Sequence, residues 1–221
     1  MDPDKKAYTI LVSGDSISRG VIYDEKRRRY CLLGESYVRI MSGLLKGAVH
    51  NMARFGNTVT RGLSRLSAEV AAKKPDIVLL EYGGNDSDFN WPEVARAPGA
   101  DHQPHTDYAR FRQVLADGIG RLLSAGISPA LMTLPPIDAE KYMEFISGGV
   151  TETRENIVKW LGGASKLYWQ HERYNAAAAE TAQAAGAKLI DIRAAFLKTP
   201  DFRALLCADG IHPNAAGHRV I

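Results

Sequence analysis

Three residues far apart in the chain carry reactive chemistry: Ser16 in Gly14-Asp15-Ser16-Ile17-Ser18, and Asp209 and His212 in Asp209-Gly210-Ile211-His212-Pro213. A serine hydroxyl is a weak nucleophile until an imidazole takes its proton, and the imidazole needs a carboxylate to fix its tautomer and stabilise its charge. Together the three residue types supply a nucleophile, a base and a group to orient the base. That is the chemistry of acyl transfer to water. The three-residue spacing predicts that Asp209 and His212 meet on one helical turn. Taken singly, each has a plainer reading: Ser16 as a turn or N-cap serine, His212 as a helix-start histidine beside a capping Asp209.

Acyl transfer also needs hydrogen-bond donors for the oxyanion of its tetrahedral intermediate. The candidates are the backbone N–H of Ser16, the backbone N–H of Gly56 in Asn51-Met52-Ala53-Arg54-Phe55-Gly56-Asn57-Thr58, and the side-chain amide of Asn85 in Gly83-Gly84-Asn85-Asp86. Glycine at 56 and 84 allows close backbone approach, and an asparagine amide donates without bringing a charge that needs its own partner. Asp15 is read as shaping the turn before the nucleophile. With Arg54, Phe55, Trp91 and Trp160 it makes up the candidate substrate-binding set. Asp86 is expected to hydrogen-bond nearby backbone.

The elements that must position these groups are legible as short apolar runs. Tyr8 to Ser13, Ala48 to Met52, Asp76 to Tyr82, Ser128 to Leu134 and Ala187 to Ile192 suit buried strands, most of them bounded by Gly, Pro or Asn. Helical faces lie between them, at Tyr37, Ile40, Met41, Leu44 and Leu45; at Leu63, Leu66 and Val70; and at Phe111, Leu115, Ile119 and Leu122. Tyr174 to Ala185 is alanine-rich and ends at Gly186, a C-cap. Asn214 to Ile221 gives about two turns, too few to be stable without docking. Strands alternating with helices imply right-handed crossovers, hence a parallel five-stranded sheet in a three-layer α/β/α sandwich. Ligands of such sheets sit beyond the C-terminal strand ends, where Ser16, Gly56, Gly84 and Asn85 all fall. Two stretches exceed the minimal pattern, 87–106 and 136–172, and are expected to overhang the site from within a single domain spanning 1–221. The second carries Tyr142, Phe145, Ile146, Trp160, Leu161, Tyr168 and Trp169, enough for a small helical cap.

Composition narrows the partners. A chain of 221 residues with 45% apolar and 24% charged residues is ordinary for a globular domain, and its formal charge of +3 gives no nucleic-acid footprint. The run Lys26-Arg27-Arg28-Arg29 reads as a solvated loop. Cys31 and Cys207 alone make no disulfide framework, so free thiols are expected, with Cys207 a buried small apolar residue. Met1-Asp2-Pro3-Asp4-Lys5-Lys6 has no apolar leader core, and no stretch approaches membrane-span length. The expectation is a cytoplasmic protein without stable membrane association. Asp101, His102, His105 and Asp107 cluster in one loop, but their spacing is not that of a closed zinc site, so no metal and no cofactor are expected. Neither a P-loop nor a dinucleotide glycine pattern occurs with its partners.

Taken together, the blocks Gly14-Asp15-Ser16, Gly56, Gly83-Gly84-Asn85-Asp86 and Asp209-Gly210-Ile211-His212-Pro213, in that order and each after a strand or near the end, resemble the SGNH hydrolases, also called GDSL esterases and lipases. The resemblance covers essentially the whole chain. It implies a flavodoxin-like fold and metal-independent hydrolysis of esters or thioesters through an acyl-serine. It also implies Ser16 as nucleophile, Gly56 and Asn85 as oxyanion donors beside Ser16, and His212 as base oriented by Asp209. Ile17 and Ser18 stand where many relatives have Leu and Thr, and the two insertions exceed the loops of compact members. An α/β-hydrolase also runs Ser, Asp, His in order, but its elbow needs glycine two residues after the nucleophile, where Ser18 stands.

The expected activity is therefore a serine esterase acting on a small acyl ester, a carbohydrate O-acetyl ester among the candidates. The alternatives are a lysophospholipase or acyl thioesterase using the aromatic insertion as acyl pocket, and an inactive carbohydrate-binding module on the same fold.

Overall fold

The computed structural model describes residues 5–221; the first four residues, part of the stretch read for a leader, lie outside it. Five strands form one parallel sheet: β1 (Tyr8–Gly14), β4 (Gly47–Asn51), β5 (Ile77–Glu81), β6 (Ser128–Met132) and β7 (Lys188–Ile190), in the order β4-β1-β5-β6-β7. The fold is the expected three-layer sandwich.

Side-chain alternation along the strands sorts the core into two halves. Leu11, Val78, Leu80 and Leu131 face α3 (Val59–Lys73), α6 (Tyr108–Ser124) and α9 (Ser165–Ala184), meeting Leu63, Leu66, Phe111, Leu115, Ile119 and Tyr174. Their neighbours Val12, Leu79, Ala130 and Met132 face the opposite layer, where α2 (Tyr37–Leu44) brings Tyr37 and Val38 and α10 (Ile192–Leu197) brings Ile192. Because both faces are covered, the central strands carry consecutive apolar residues over 10–12, 77–80 and 130–132, which is why they read as continuous runs.

Several expectations need correcting. Leu44 and Leu45 are 80% and 44% exposed, so the apolar face of α2 ends at Met41. The last strand stops at Ile190, because the Asp191 carboxylate accepts from the Ala194 N–H and starts α10 there. The helix expected from Tyr174 begins instead at Ser165, so it runs out of the second insertion into the main layer as one rod. Its first half was hidden because the buried positions there include Gln170 and His171, which break the apolar stripe.

An antiparallel hairpin between β1 and α2 escaped the sequence reading: β2 (Val21–Asp24) and β3 (Arg29–Leu32), with Val21 opposite Leu32. Its strands are only four residues long, and its turn carries the basic run, which is exposed as expected.

The insertions form a cap. The first contains α5 (Trp91–Arg96); the second contains α7 (Ala139–Ser147), α8 (Thr151–Leu161) and the start of α9. Phe89, Trp91, Val94, Ile137, Tyr142, Met143, Ile157 and Leu167 give the cap its own apolar core.

Candidate active site

β1 ends at Gly14, and the chain turns at once into α1 (Ser16–Arg19), a single turn of helix. Asp15 caps it by accepting from the Ile17 N–H at 2.9 Å. A side chain at Gly14 would put its Cβ 2.6 Å from Ser18 Oγ, so the turn can be this tight only with glycine there. Ser16 is thereby fixed at the C-terminal edge of the sheet.

The acid and base come from a loop near the chain end. The Cys207 N–H donates to the His212 carbonyl at 2.8 Å, and Leu206 pairs with Pro213. The Asp209 Oδ1 inside this closed loop accepts from the backbone N–H groups of Ile211 and His212 at 3.2 and 3.1 Å. Asp209 and His212 therefore meet in an Asx-type turn, not on the helical turn that their spacing suggested. Gly210 sits at φ 75°, and a Cβ there would lie 2.7 Å from the Asp138 carbonyl and the Tyr142 nitrogen under α7. The following helix, α11 (Ala215–Val220), starts on Asn214, whose side chain accepts from Ala216 and Gly217.

The three groups form one hydrogen-bonded chain. His212 Nδ1 lies 2.6 Å from Asp209 Oδ2, and His212 Nε2 lies 2.9 Å from Ser16 Oγ. Asp209 is 0% exposed and His212 4%, so the carboxylate's charge acts on the ring in a dry setting. Nδ1–H donates to the carboxylate, leaving Nε2 free to accept the serine proton.

Asn85 is the second residue of the helical turn α4 (Gly84–Ser87) after β5. Its Nδ2–H donates to Asp15 Oδ2 at 3.0 Å, which uses one amide hydrogen and leaves the other unassigned. Gly83 has φ 134°, and a Cβ would meet Leu134 Cδ1 at 2.9 Å. Asp86 accepts from the Val59 N–H, the expected backbone role, and burial raises its carboxyl to about 6.

A cavity of about 650 Å³, counted with its mouth, opens on Ser16, Asn85 and His212. Beneath the cap it is walled by Phe89, Trp91, Ile137 and Leu167, with Asp88, Gln170 and His171 as polar members. Trp91 thus holds the place expected of it. Trp160 does not line the cavity. Its indole N–H donates to the Ala100 carbonyl at 3.1 Å and its ring packs edge-on against Phe89, so it buttresses the wall. Asp15 lines the cavity but is 2% exposed with both oxygens engaged. Arg54 and Phe55 border a separate shallow groove with Arg19 and Asn51. The Phe55 ring lies parallel to His212, centroids 6.5 Å apart. Gly56 occupies the same turn at φ 67°, outside the cavity lining.

The loop residues weighed for a metal go separate ways: His102 bonds the Ala97 carbonyl, His105 the Asn85 carbonyl, Asp101 the Gln103 amide, and Asp107 caps α6. Cys207 is buried and its thiol is pushed up to about 11, chiefly by desolvation.

Four groups at the site went unseen in the sequence. Tyr30, on the hairpin, places its ring 5.1 Å from that of His212, and burial together with the nearby Asp209 carboxylate holds its hydroxyl well above the usual tyrosine range. Glu81, 0% exposed at the end of β5, accepts from Ser18 Oγ at 2.8 Å and from the Asp15 N–H at 3.4 Å. A glutamate closing the apolar run Ile77 to Leu80 is the signal that could have found it, since an ionisable group in a buried strand needs a partner. Asp88 accepts from the Tyr142 hydroxyl at 2.7 Å and the Trp91 indole at 2.8 Å. His171 is the fourth.

Comparison with known proteins follows the geometry. The profile of the GDSL-like Lipase/Acylhydrolase family matches residues 12–220. Among curated relatives, the GDSL esterase/lipase CPRD49 of Arabidopsis thaliana is 25% identical over 197 residues, covering 86% of this chain and 67% of its own. Thioesterase 1/protease 1/lysophospholipase L1 of Escherichia coli is 30% identical over 143 residues, 64% of this chain and 59% of that protein. Among solved structures, the lipase/acylhydrolase from Enterococcus faecalis superposes with a TM-score of 0.67 at 24% identity, covering 96% of this chain and 90% of that one. Axe2, an acetylxylan esterase from Geobacillus stearothermophilus, gives 0.64 at 24% identity with the same coverage. At those identities the structures show the shared fold alone.

Proposed function

The chain belongs to the GDSL-like lipase/acylhydrolase family, a family of ester hydrolases, and on that premise we propose that it is a serine esterase removing a small acyl group from a hydroxylated alcohol, an O-acetylated carbohydrate being the substrate class. The observation that carries the reading is the unbroken chain from Ser16 through His212 to Asp209 at a partly polar cavity. An alkyl chain threaded past His171 would leave its unpartnered ring nitrogen unsatisfied, at about 1–3 kcal/mol. The acetylxylan esterase among the structural neighbours points the same way.

In this mechanism Ser16 Oγ attacks the ester carbonyl carbon as its proton passes to His212 Nε2, and Asp209 stabilises the imidazolium. The oxyanion accepts from the second amide hydrogen of Asn85 and the N–H groups of Ser16 and Gly56. Collapse breaks the bond to the alkoxy oxygen, which leaves as the alcohol with the proton from Nε2. Water then attacks the acyl-serine by the same route, its proton taken by His212, and the carboxylic acid is released as Ser16 regains its hydrogen. The thiols of Cys31 and Cys207 are free, which suits work in a reducing compartment.

A panel of esters varying in acyl length and alcohol, run beside Ser16→Ala, tests the proposal. Turnover highest for acetyl esters of sugars, abolished in the variant, with an organophosphonate adduct on Ser16, is the expected result. No turnover and no adduct from folded protein would overturn it. The reading as a lysophospholipase or acyl thioesterase draws on the name of the Escherichia coli relative and on the apolar wall of Phe89, Ile137, Leu167 and Ile211. Preference for long acyl chains would select it.

A further inference from the structure

His171 lies in the middle of α9, 8% exposed, on the wall of the cavity that also contains Ser16 and His212. Its Nδ1 is buried and has no hydrogen-bond partner among the described residues. A buried ring nitrogen left this way is costly, and an apolar side chain would serve packing better. Helix α9 offers such residues at the neighbouring cavity position, Leu167, and at Tyr174 in the core.

The surroundings of the ring define what it can hold. Arg193, itself 7% exposed, donates to the Leu134 carbonyl at 3.2 Å and the Tyr168 hydroxyl at 2.8 Å, and pairs with Glu172. Burial first and the Arg193 charge second lower the imidazole to about 3, so it stays neutral wherever the triad works. A neutral imidazole offers one donor and one acceptor, and a half-turn of the ring exchanges the places of Nδ1 and Cδ2. That matches a hydroxyl, which can both give and take a hydrogen bond; it is a poor match for a carboxylate or phosphate, which calls for positive charge. Beside it, Gln170 lines the cavity; its Nε2–H donates to the Ser87 carbonyl at a long 3.4 Å and its Oε1 accepts from Arg173 at 3.3 Å. Phe89 and Trp91 supply flat apolar walls of the kind that orient a ligand between a few placed polar groups.

We propose that His171, assisted by Gln170, is a specificity subsite that binds a neutral hydroxyl of the substrate within the cavity beside Ser16. The inference rests on the esterase reading above and refines its substrate class. The hydroxyl can belong to either half of the ester, so the experiment has two arms. In one, 4-nitrophenyl glycolate is compared with 4-nitrophenyl acetate, each rate divided by its hydroxide-catalysed rate. In the other, a methyl 6-O-acetylglucoside is compared with cyclohexylmethyl acetate.

The wild type should favour the hydroxylated member of at least one pair, and His171→Leu should lower that ratio of kcat/KM about tenfold, the order of one neutral hydrogen bond. The arm that responds identifies the half of the ester bound. His171→Gln, which keeps a donor and an acceptor, should restore most of the preference. The melting temperature of His171→Leu should equal or exceed that of the wild type, because an unmatched buried nitrogen has been removed. A wild-type ratio near one in both pairs, or a ratio that His171→Leu leaves unchanged, would overturn the subsite. If Ser16→Ala also fails to abolish turnover, the esterase reading itself falls; if it abolishes turnover while the ratios stay flat, only the subsite falls.

Discussion

The side-chain amide of Asn85 donates to the carboxyl group of Asp15 across 3.0 Å, linking the turn after β5 to the residue before the nucleophile. An amide held this way cannot turn its oxygen toward the cavity, since that would set carbonyl against carboxyl. Asp15 is in turn held well above the usual carboxylate range, by burial first and by the neighbouring Glu81 charge next. Burial raises both Asp15 and Glu81, and a proton held on Asp15 is the expectation that the following variants test.

If the proposed oxyanion role of Asn85 holds, Asn85→Ala should lower kcat by about 10² to 10³. Asp15→Ala, which leaves the amide free to turn, should lower kcat by a smaller factor. Asp15→Asn mimics a protonated aspartate and should retain most activity. Steady-state kinetics on one acetyl ester ranks all three, and an Asp15→Asn enzyme as slow as Asp15→Ala would show that the proton lies elsewhere.

The hairpin presses Tyr30 against the catalytic imidazole, 5.1 Å between ring centroids, with Phe55 5.1 Å from Tyr30 on the same side. The ring supplies the packing on His212, and the hydroxyl adds one hydrogen bond to the Asp209 carboxylate. Tyr30→Phe should therefore keep kcat within a few fold, whereas Tyr30→Ala should lose about tenfold through a looser base. Comparing the two variants' kcat, with KM recorded separately, distinguishes ring from hydroxyl.

Gly62 lies on the buried face of α3, and a Cβ there would stand 2.0 Å from the Tyr82 hydroxyl. That hydroxyl is held 2.7 Å from Ser13 Oγ and Tyr82 is 1% exposed, so the ring cannot easily retreat. Alanine would improve helix propensity by about 1 kcal/mol but force overpacking of about 1–3 kcal/mol. Gly62→Ala should lower stability in urea unfolding, while Gly120→Ala on α6, with open space around its Cβ position, should raise it.

His218 is 1% exposed on α11, and its Nδ1 accepts from the Tyr37 N–H at 3.3 Å. Burial first and then His212 lower its imidazole from 6.5 to about 4. A depressed folded value means that the unfolded chain takes up the proton first. The stabilising contribution is thus complete above pH 6.5 and is lost as pH falls toward 4, by roughly 3 kcal/mol. His218→Gln keeps an acceptor but does not titrate, so its unfolding free energy between pH 4 and 7 should fall less steeply than that of the wild type.

The central strands and the helices α3 and α6 were legible because burial on both sheet faces or on one helix face leaves an unbroken apolar signature, as in Ile77 to Leu80 or Phe111 to Leu122. That Ser16, His212 and Asp209 belong together was legible from residue type and order, and the structure joins them in one hydrogen-bonded chain. Its local geometry was not: a three-residue spacing suits a helix and an Asx turn equally, and only the Leu206–Pro213 pairing and the backbone bonds to Asp209 decide for the turn. Tyr30, Glu81 and Asp88 stayed hidden because each acquires its role from a partner distant in sequence, and His171 because only the folded cavity shows what its ring faces. Trp160 misled because an aromatic residue in a cap reads the same whether it faces ligand or braces a wall.

Ser16 and His212 are 196 positions apart, and the terminal helix reaches back through His218 to the start of α2. On the proposed mechanism, hydrolysis therefore requires that these two distant segments have already folded together. During refolding, recovery of hydrolysis should lag behind recovery of helical circular dichroism if terminal docking comes last, making turnover a clock for the final assembly event.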